Sequence, residues 1–343
     1  MERAKNKLFY LRIIISIIVI FILFEYLAKT RFAINNPFVP VDIRSNFGLN
    51  SYEAMHLKPN VDLTSVSGLR YKTDEYGFRT GDFKKDTNNK TLLLGGDSRI
   101  FGFALGYKDT VSSYLEEKKT FNIYQQAFPG SSPALFNFDI FEKGKINKLA
   151  IKPNYVIYAY DRHDYYNDIV FEKELQVPEH KLFLRKLKIK LGGFAWSMCM
   201  QKYKKFLQQT NHKNKKKSPE NKKETKSIKK DKQKVNPINL SVKDLNALKE
   251  NVSELNIPLI ILYLPRANEF YFRDPTPRNN IKQWCHKNNI QFIDAYTPLD
   301  DLAKGDVKVL SEYFLDLYEG IHFSAKGSEY IAKLIEGSLE VEE

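Results

Sequence analysis

The sequence predicts an α/β protein, a three-layer α/β/α sandwich on a parallel five-stranded sheet, with an apolar N-terminal helix and one long insertion. Two observations predict the core. Five short apolar runs of strand length recur between amphipathic stretches of helix length. The chain between runs is also too long for hairpin turns and long enough for the crossovers that parallel strands require.

Residues 8–28 are apolar apart from Arg12, Ser16, Glu25 and the amphipathic tyrosines. That length matches the roughly 20 residues a helix needs to cross a bilayer. Arg3, Lys5, Lys7 and Arg12 stand before or at its start and only Lys29 and Arg31 follow closely, so the rule of positive charge inside places the N-terminus in the cytoplasm and exports the rest. A cleaved signal peptide is the rival, but Tyr26-Leu27-Ala28 offers a single small residue for cleavage. Residues 1–31 therefore read as an anchor held in the lipid bilayer through 8–28.

Residues 32–90 have little periodicity and read as a lead-in that wraps the domain after it. The expected strands are 91–95, 122–127, 155–160, 258–264 and 291–295. The expected helices are 110–119, 133–149, 242–255, 279–288 and 325–339. The core thus falls in two parts, 91–170 and 241–343, split by an insertion at 171–240. The first half of that insertion carries Phe183, Leu187, Leu191, Phe194, Trp196, Met200, Tyr203 and Phe206 at near-helical spacing. The second, 213–234, has eleven lysines, three acids and almost nothing apolar, a composition expected of a solvated, disordered loop.

The chain carries 54 Lys and Arg against 41 Asp and Glu, a net +13, which invites a nucleic-acid reading. Its distribution argues otherwise. The lysine run contributes +8 and residues 1–31 contribute +4, so 12 of the 13 charges lie outside the predicted core. No nucleic-acid partner is expected. Two cysteines, Cys199 and Cys285, are too few for a disulfide scaffold or a cysteine-built zinc site, and neither metal nor cofactor is expected.

Ligands of parallel sheets bind at the carboxyl ends of strands. The first strand ends in Leu94-Gly95-Gly96-Asp97-Ser98-Arg99, which exposes a serine on a glycine-rich turn. A serine hydroxyl is a weak nucleophile until a base takes its proton. Of six histidines, His163 follows the third strand and His322 precedes the last helix, so both stand at strand-end or helix-start loops. Glu319 lies three residues before His322 and can orient its imidazole, with Asp316 the second choice. Ser324 is the expected N-cap of the last helix.

These blocks resemble the SGNH (GDSL-type) hydrolase and acyltransferase superfamily. Gly96-Asp97-Ser98 is similar to its first block, with Arg99 in place of the usual leucine. Ala127-Phe128-Pro129-Gly130-Ser131 resembles the second. Tyr160-Asp161-Arg162-His163-Asp164 falls where the third belongs, and Glu319-Gly320-Ile321-His322 where the fifth does. The leader Thr73-Asp74-Glu75-Tyr76-Gly77-Phe78-Arg79 is similar to one found in bacterial, membrane-anchored members. The resemblance covers roughly residues 70 to 170 and 240 to 340.

The resemblance implies an SGNH, flavodoxin-like core with catalytic Ser98, His322 and Glu319. It implies an oxyanion hole from the amides of Ser98 and Gly130 with a third donor, His163 or Asn167, because His163 stands where the family has an asparagine. Asp161 would oppose an oxyanion unless Arg99 or Arg162 pairs with it. The implied activity is that of a serine esterase or O-acyltransferase on acyl, chiefly acetyl, esters of cell-envelope glycans. The implied location is the bacterial inner membrane, with the soluble domain facing the periplasm or exterior and an integral-membrane acyltransferase as partner. The altered third and fifth blocks support a contrasting reading, an inactive glycan-binding or assembly factor on the same fold.

Overall fold

The computed structural model describes residues 59–64, 68–118, 121–175, 237–315 and 321–340; upstream it describes only Arg12, Ile15, Ser16, Val19, Ile20 and Leu23. The chain divides into two units, 1–37 with 177–234, and 38–176 with 235–343. The second unit carries both sheets. The expected lysine loop and the aromatic helical part of the insertion lie outside the described residues. So does the expected anchor, except for those six positions, which are helical. Among the described residues, no helix is long and apolar enough to cross a membrane.

A short hairpin of β1 (Asp62–Thr64) and β2 (Arg70–Lys72) opens the second unit. The main sheet comprises β3 (Lys90–Gly96), β4 (Phe121–Ala127), β5 (Tyr155–Tyr160), β6 (Leu259–Tyr263) and β7 (Gln291–Asp294). All pairings are parallel, in the order β4-β3-β5-β6-β7. Leu92, Leu93, Val156, Ile157, Ile260, Ile261 and Leu262 are wholly buried, as expected of strands covered on both faces. All five expected strands form within two residues of their expected bounds.

The connections explain the layers. From β3 the chain passes through α1 (Ser98–Phe101) and α2 (Val111–Glu117) to β4 on one side. It returns through α3 (Pro133–Asn137) to β5, on the other side of β3. It then advances through α4 (Asp164–Leu175) and α5 (Pro237–Glu254) to β6, and through α6 (Ala267–Phe272) and α7 (Thr276–Lys287) to β7. Right-handed crossovers running in opposite directions put their helices on opposite faces. Accordingly α3 and α4 pack on α5, whereas α9 (Ala325–Glu340), which follows α8 (Tyr296–Ala303), packs on α2. The direction reverses at β3, so the crevice of this topology opens beyond the ends of β3 and β5.

One expectation changes. The single helix expected over 133–149 is α3, a π-helical turn over Phe138–Glu142 and a separate 3-10 turn over Ile146–Lys148. Its apolar residues serve a packed irregular segment rather than one helical stripe. Helix α4 runs on past residue 170, and α5 begins at Pro237, so both flanks of the insertion are core helices. The lead-in adds an antiparallel bridge, Arg79 to Gln125, on the outer side of β4 and so covers part of that sheet edge.

Candidate active site

Ser98 starts α1 directly after β3. Asp97 is the N-cap, and its carboxylate accepts from the Arg99 amide at 2.9 Å. The far end of this four-residue helix is held by Arg79 from the lead-in. Its Nη1 donates to the carbonyl oxygens of Phe101 and, at 2.9 Å, Gly102; its Nη2 donates to that of Leu105 at 2.7 Å. The rings of Tyr71 and Phe101 each lie 4.6 Å from the guanidinium carbon. Burial lowers the Arg79 pKa to about 10, since among the described residues no carboxylate offsets the lost water.

Arg99, also buried, meets the opposite environment. Its Nη2 pairs with Asp161, its Nε lies 3.4 Å from Asp97, and its Nη1 donates to the carbonyls of Leu264 and Pro265 at 2.9 and 3.1 Å. Burial acts to lower its pKa, but Asp161 and then Asp97 outweigh it and hold it above the ordinary value. Asp161 answers in kind. Burial would raise its pKa, yet Arg99 and Arg266 hold it down. Arg99 is thus one of the two cations expected to neutralise Asp161; the other partner is Arg266, not Arg162.

His322 Nε2 lies 3.1 Å from Ser98 Oγ. The imidazole stacks on Phe103, with ring centroids 4.7 Å apart. Its backbone is tied down on both sides. The His322 carbonyl accepts from the Leu315 amide at 2.9 Å, and the Ser324 amide donates to Tyr313 at 3.0 Å. Ser324 Oγ accepts from the Gly327 amide at 3.1 Å and so caps α9. Gly327 allows the close approach of α9, because a Cβ there would stand 2.1 Å from the Tyr313 carbonyl oxygen. Burial lowers the His322 pKa to about 4; Asp97 raises it and Arg99 and Arg266 lower it further. The ring is neutral at neutral pH, as a base must be to accept a proton. Among the described residues no carboxylate is hydrogen-bonded to its Nδ1. Glu319 and Asp316, the expected acids, lie outside the described residues.

Gly130 sits on the loop after β4 at φ +85°, a left-handed conformation that costs other residues roughly 1–2 kcal/mol. Among the described residues no protein acceptor takes the amide of Ser98 or of Gly130. Helix α4 braces the Gly130 loop from below. Asn167 Nδ2 donates to the Ser131 carbonyl at 3.2 Å, and Asp168 accepts from the Ala134 amide at 3.0 Å. Asn167 therefore holds the loop. His163 is exposed, and its backbone amide donates to Asp161. The structure thus brings Ser98 and His322 together, sets Asn167 to support Gly130's loop and leaves the His163 imidazole at the surface.

The residue that sequence reasoning passed over is Arg266. It follows β6, donates from Nε to Asp161 at 2.9 Å and is 7% exposed. Its signal was a cation, in Leu264-Pro265-Arg266, immediately beyond the carboxyl end of an apolar strand. Among the described residues no group of three or more potential metal ligands is present.

No family model matches the sequence, and no curated protein matches it. Solved structures do align. A putative lipolytic protein of the G-D-S-L family from Desulfitobacterium hafniense is 14% identical over 73% of this chain and 99% of its own, with a TM-score of 0.39. A G-D-S-L family member from Veillonella parvula is 13% identical over 72% and 97%, at 0.41. An acetylxylan esterase from Geobacillus stearothermophilus is 14% identical over 74% and 96%, at 0.42. At these scores and identities the likeness carries no weight for the chemistry of this chain, which rests on its own geometry.

Proposed function

We propose that this chain is a serine esterase or O-acyltransferase of SGNH type. The observation that carries the reading is the 3.1 Å approach of His322 Nε2 to Ser98 Oγ beyond the end of β3. Ser98 Oγ attacks the ester carbonyl while His322 Nε2 takes its proton, with Glu319 assigned to Nδ1. The tetrahedral oxyanion lies against the amides of Ser98 and Gly130. Collapse breaks the bond to the leaving alcohol, which receives the proton from His322 and leaves an acyl-Ser98 ester. Water or a sugar hydroxyl then repeats the sequence as nucleophile, giving hydrolysis or transfer. The stretch 8–28 supports a membrane-anchored enzyme, and export with envelope glycans as substrates follows from its charge bias and from the resemblance of the blocks.

A fluorophosphonate probe on the purified protein tests the chemistry. Labelling of the wild type, with loss of labelling and at least a ~10³-fold loss of aryl acetate hydrolysis in Ser98→Ala, supports it. A folded wild type that neither labels nor hydrolyses would instead match the inactive glycan-binding reading.

A further inference from the structure

Arg266 is more than nine-tenths buried, and only one edge of its guanidinium is in use. Nε donates to both oxygens of Asp161, at 2.9 and 3.3 Å. Neither Nη1 nor Nη2 has an acceptor among the described residues. The nearest acid in sequence is committed elsewhere: Glu269 accepts from the Tyr263 hydroxyl at 2.6 Å and from the Arg266 backbone amide at 3.1 Å. Neither Nη is among the fully buried polar atoms, so this edge meets solvent, where a charged donor fork can take an anionic partner.

Its place is fixed relative to the reacting pair. Arg99, adjacent to Ser98, donates to the carbonyls of Leu264 and Pro265, which presses the Arg266 loop against the serine's helix. Asp161 is shared by Arg99 and Arg266, so the two cations flank one carboxylate at the ends of β3, β5 and β6. Arg266 also contributes to the electrostatic environment of both His322 and His163. Arg266 therefore stands one shared carboxylate away from the helix that carries Ser98, at the same strand ends.

We propose that Arg266 binds a carboxylate on the substrate, so that the enzyme acts on esters of acidic sugars such as uronic acids. A guanidinium edge matches a planar carboxylate with two parallel hydrogen bonds, which a neutral sugar hydroxyl cannot supply. The proposal rests on the serine-esterase reading, and its test separates the two.

Acetate release is measured from a mono-O-acetyl methyl glucuronoside and the matching glucoside, with wild type, Arg266→Met and Arg266→Lys. The wild type is expected to favour the uronide at least about tenfold in kcat/KM, mainly through KM, and Arg266→Met to bring the ratio close to one. Arg266→Lys, which keeps the charge and loses the fork, restores part of the ratio. Circular dichroism checks that each variant is folded. A wild type without preference, a ratio kept in Arg266→Met, or an equal loss on both sugars overturns the proposal. Calorimetric binding of methyl glucuronoside against methyl glucoside by Ser98→Ala, with and without Arg266→Met, makes the same comparison without turnover. If neither ester is cleaved and no probe labels Ser98, the esterase reading fails while the binding comparison still decides Arg266.

Discussion

Two arginines hold the short helix that starts with Ser98, and they do so by different physics. Arg79 is 1% exposed and meets backbone carbonyls and two aromatic faces. Arg99 is equally buried and meets the carboxylates of Asp161 and Asp97. Burial pulls the first to a pKa of about 10, whereas acids keep the second above its ordinary value. Hydrogen-bond geometry dominates on the side away from the chemistry. Compensated charge dominates on the side where His322 and the crevice lie. A helix of four residues cannot hold its own position, so each end is clamped from another part of the chain.

The sharpest way to break that contrast is Asp161→Asn. It keeps the shape but leaves Arg99 and Arg266 without their shared carboxylate, at an expected cost of about 3–5 kcal/mol in urea unfolding. A loss no larger than that of an Arg79 variant would show that the two clamps are not different in kind.

Next is His322, which senses the charged side. With a folded pKa of about 4 against an ordinary 6.5, it stays neutral while the unfolded chain takes up a proton. Above pH 6.5 both states are neutral and the term is absent. Between pH 6.5 and about 4 stability falls as pH falls, by about 3 kcal/mol in all. His322→Gln should remove that slope from a pH series of unfolding midpoints. A carboxylate on Nδ1, the role assigned to Glu319, favours the imidazolium, so the esterase rate should reach half its plateau above the pH of about 4 that burial sets. A half-maximum that does not fall in Glu319→Gln counts against that assignment.

Arg79→Met comes third, at about 2 kcal/mol, because the carbonyls of Phe101, Gly102 and Leu105 lose a charged donor. Probe labelling should slow together with the loss of stability, since α1 carries Ser98. The smallest effect is Gly130→Ala, about 1 kcal/mol: its φ of +85° is strained for alanine, yet a Cβ there would meet nothing within 4 Å. A melting shift larger than that of Arg79→Met would overturn this ranking.

The core was legible because its strands are apolar runs of the right length, and because Gly-Gly-Asp-Ser and the His322 loop stand at their ends. The approach of Ser98 to His322 follows from strand order, which brings two segments 224 positions apart to the same edge of the sheet. Residues 138–148 misled because their apolar residues serve packing that periodicity does not encode. The network of Arg99, Asp161 and Arg266 was half visible: a charge beside Asp161 was required, but nothing local told Arg162 from Arg266. That choice is made by the β5–β6 pairing, which sets Tyr160 beside Tyr263 and so brings their following loops together.

Arg79 has a consequence for how the protein can be cut. The lead-in is a working part of the domain, since it supplies the clamp on the far end of the serine's helix. A fragment that begins at β3, where the sheet starts, would lack Arg79 and Tyr71 and leave three carbonyls without their donor. A soluble fragment should begin upstream of β1, whereas proteolysis between Arg79 and Lys90 should yield a nicked protein that keeps its leader bound and its serine in place.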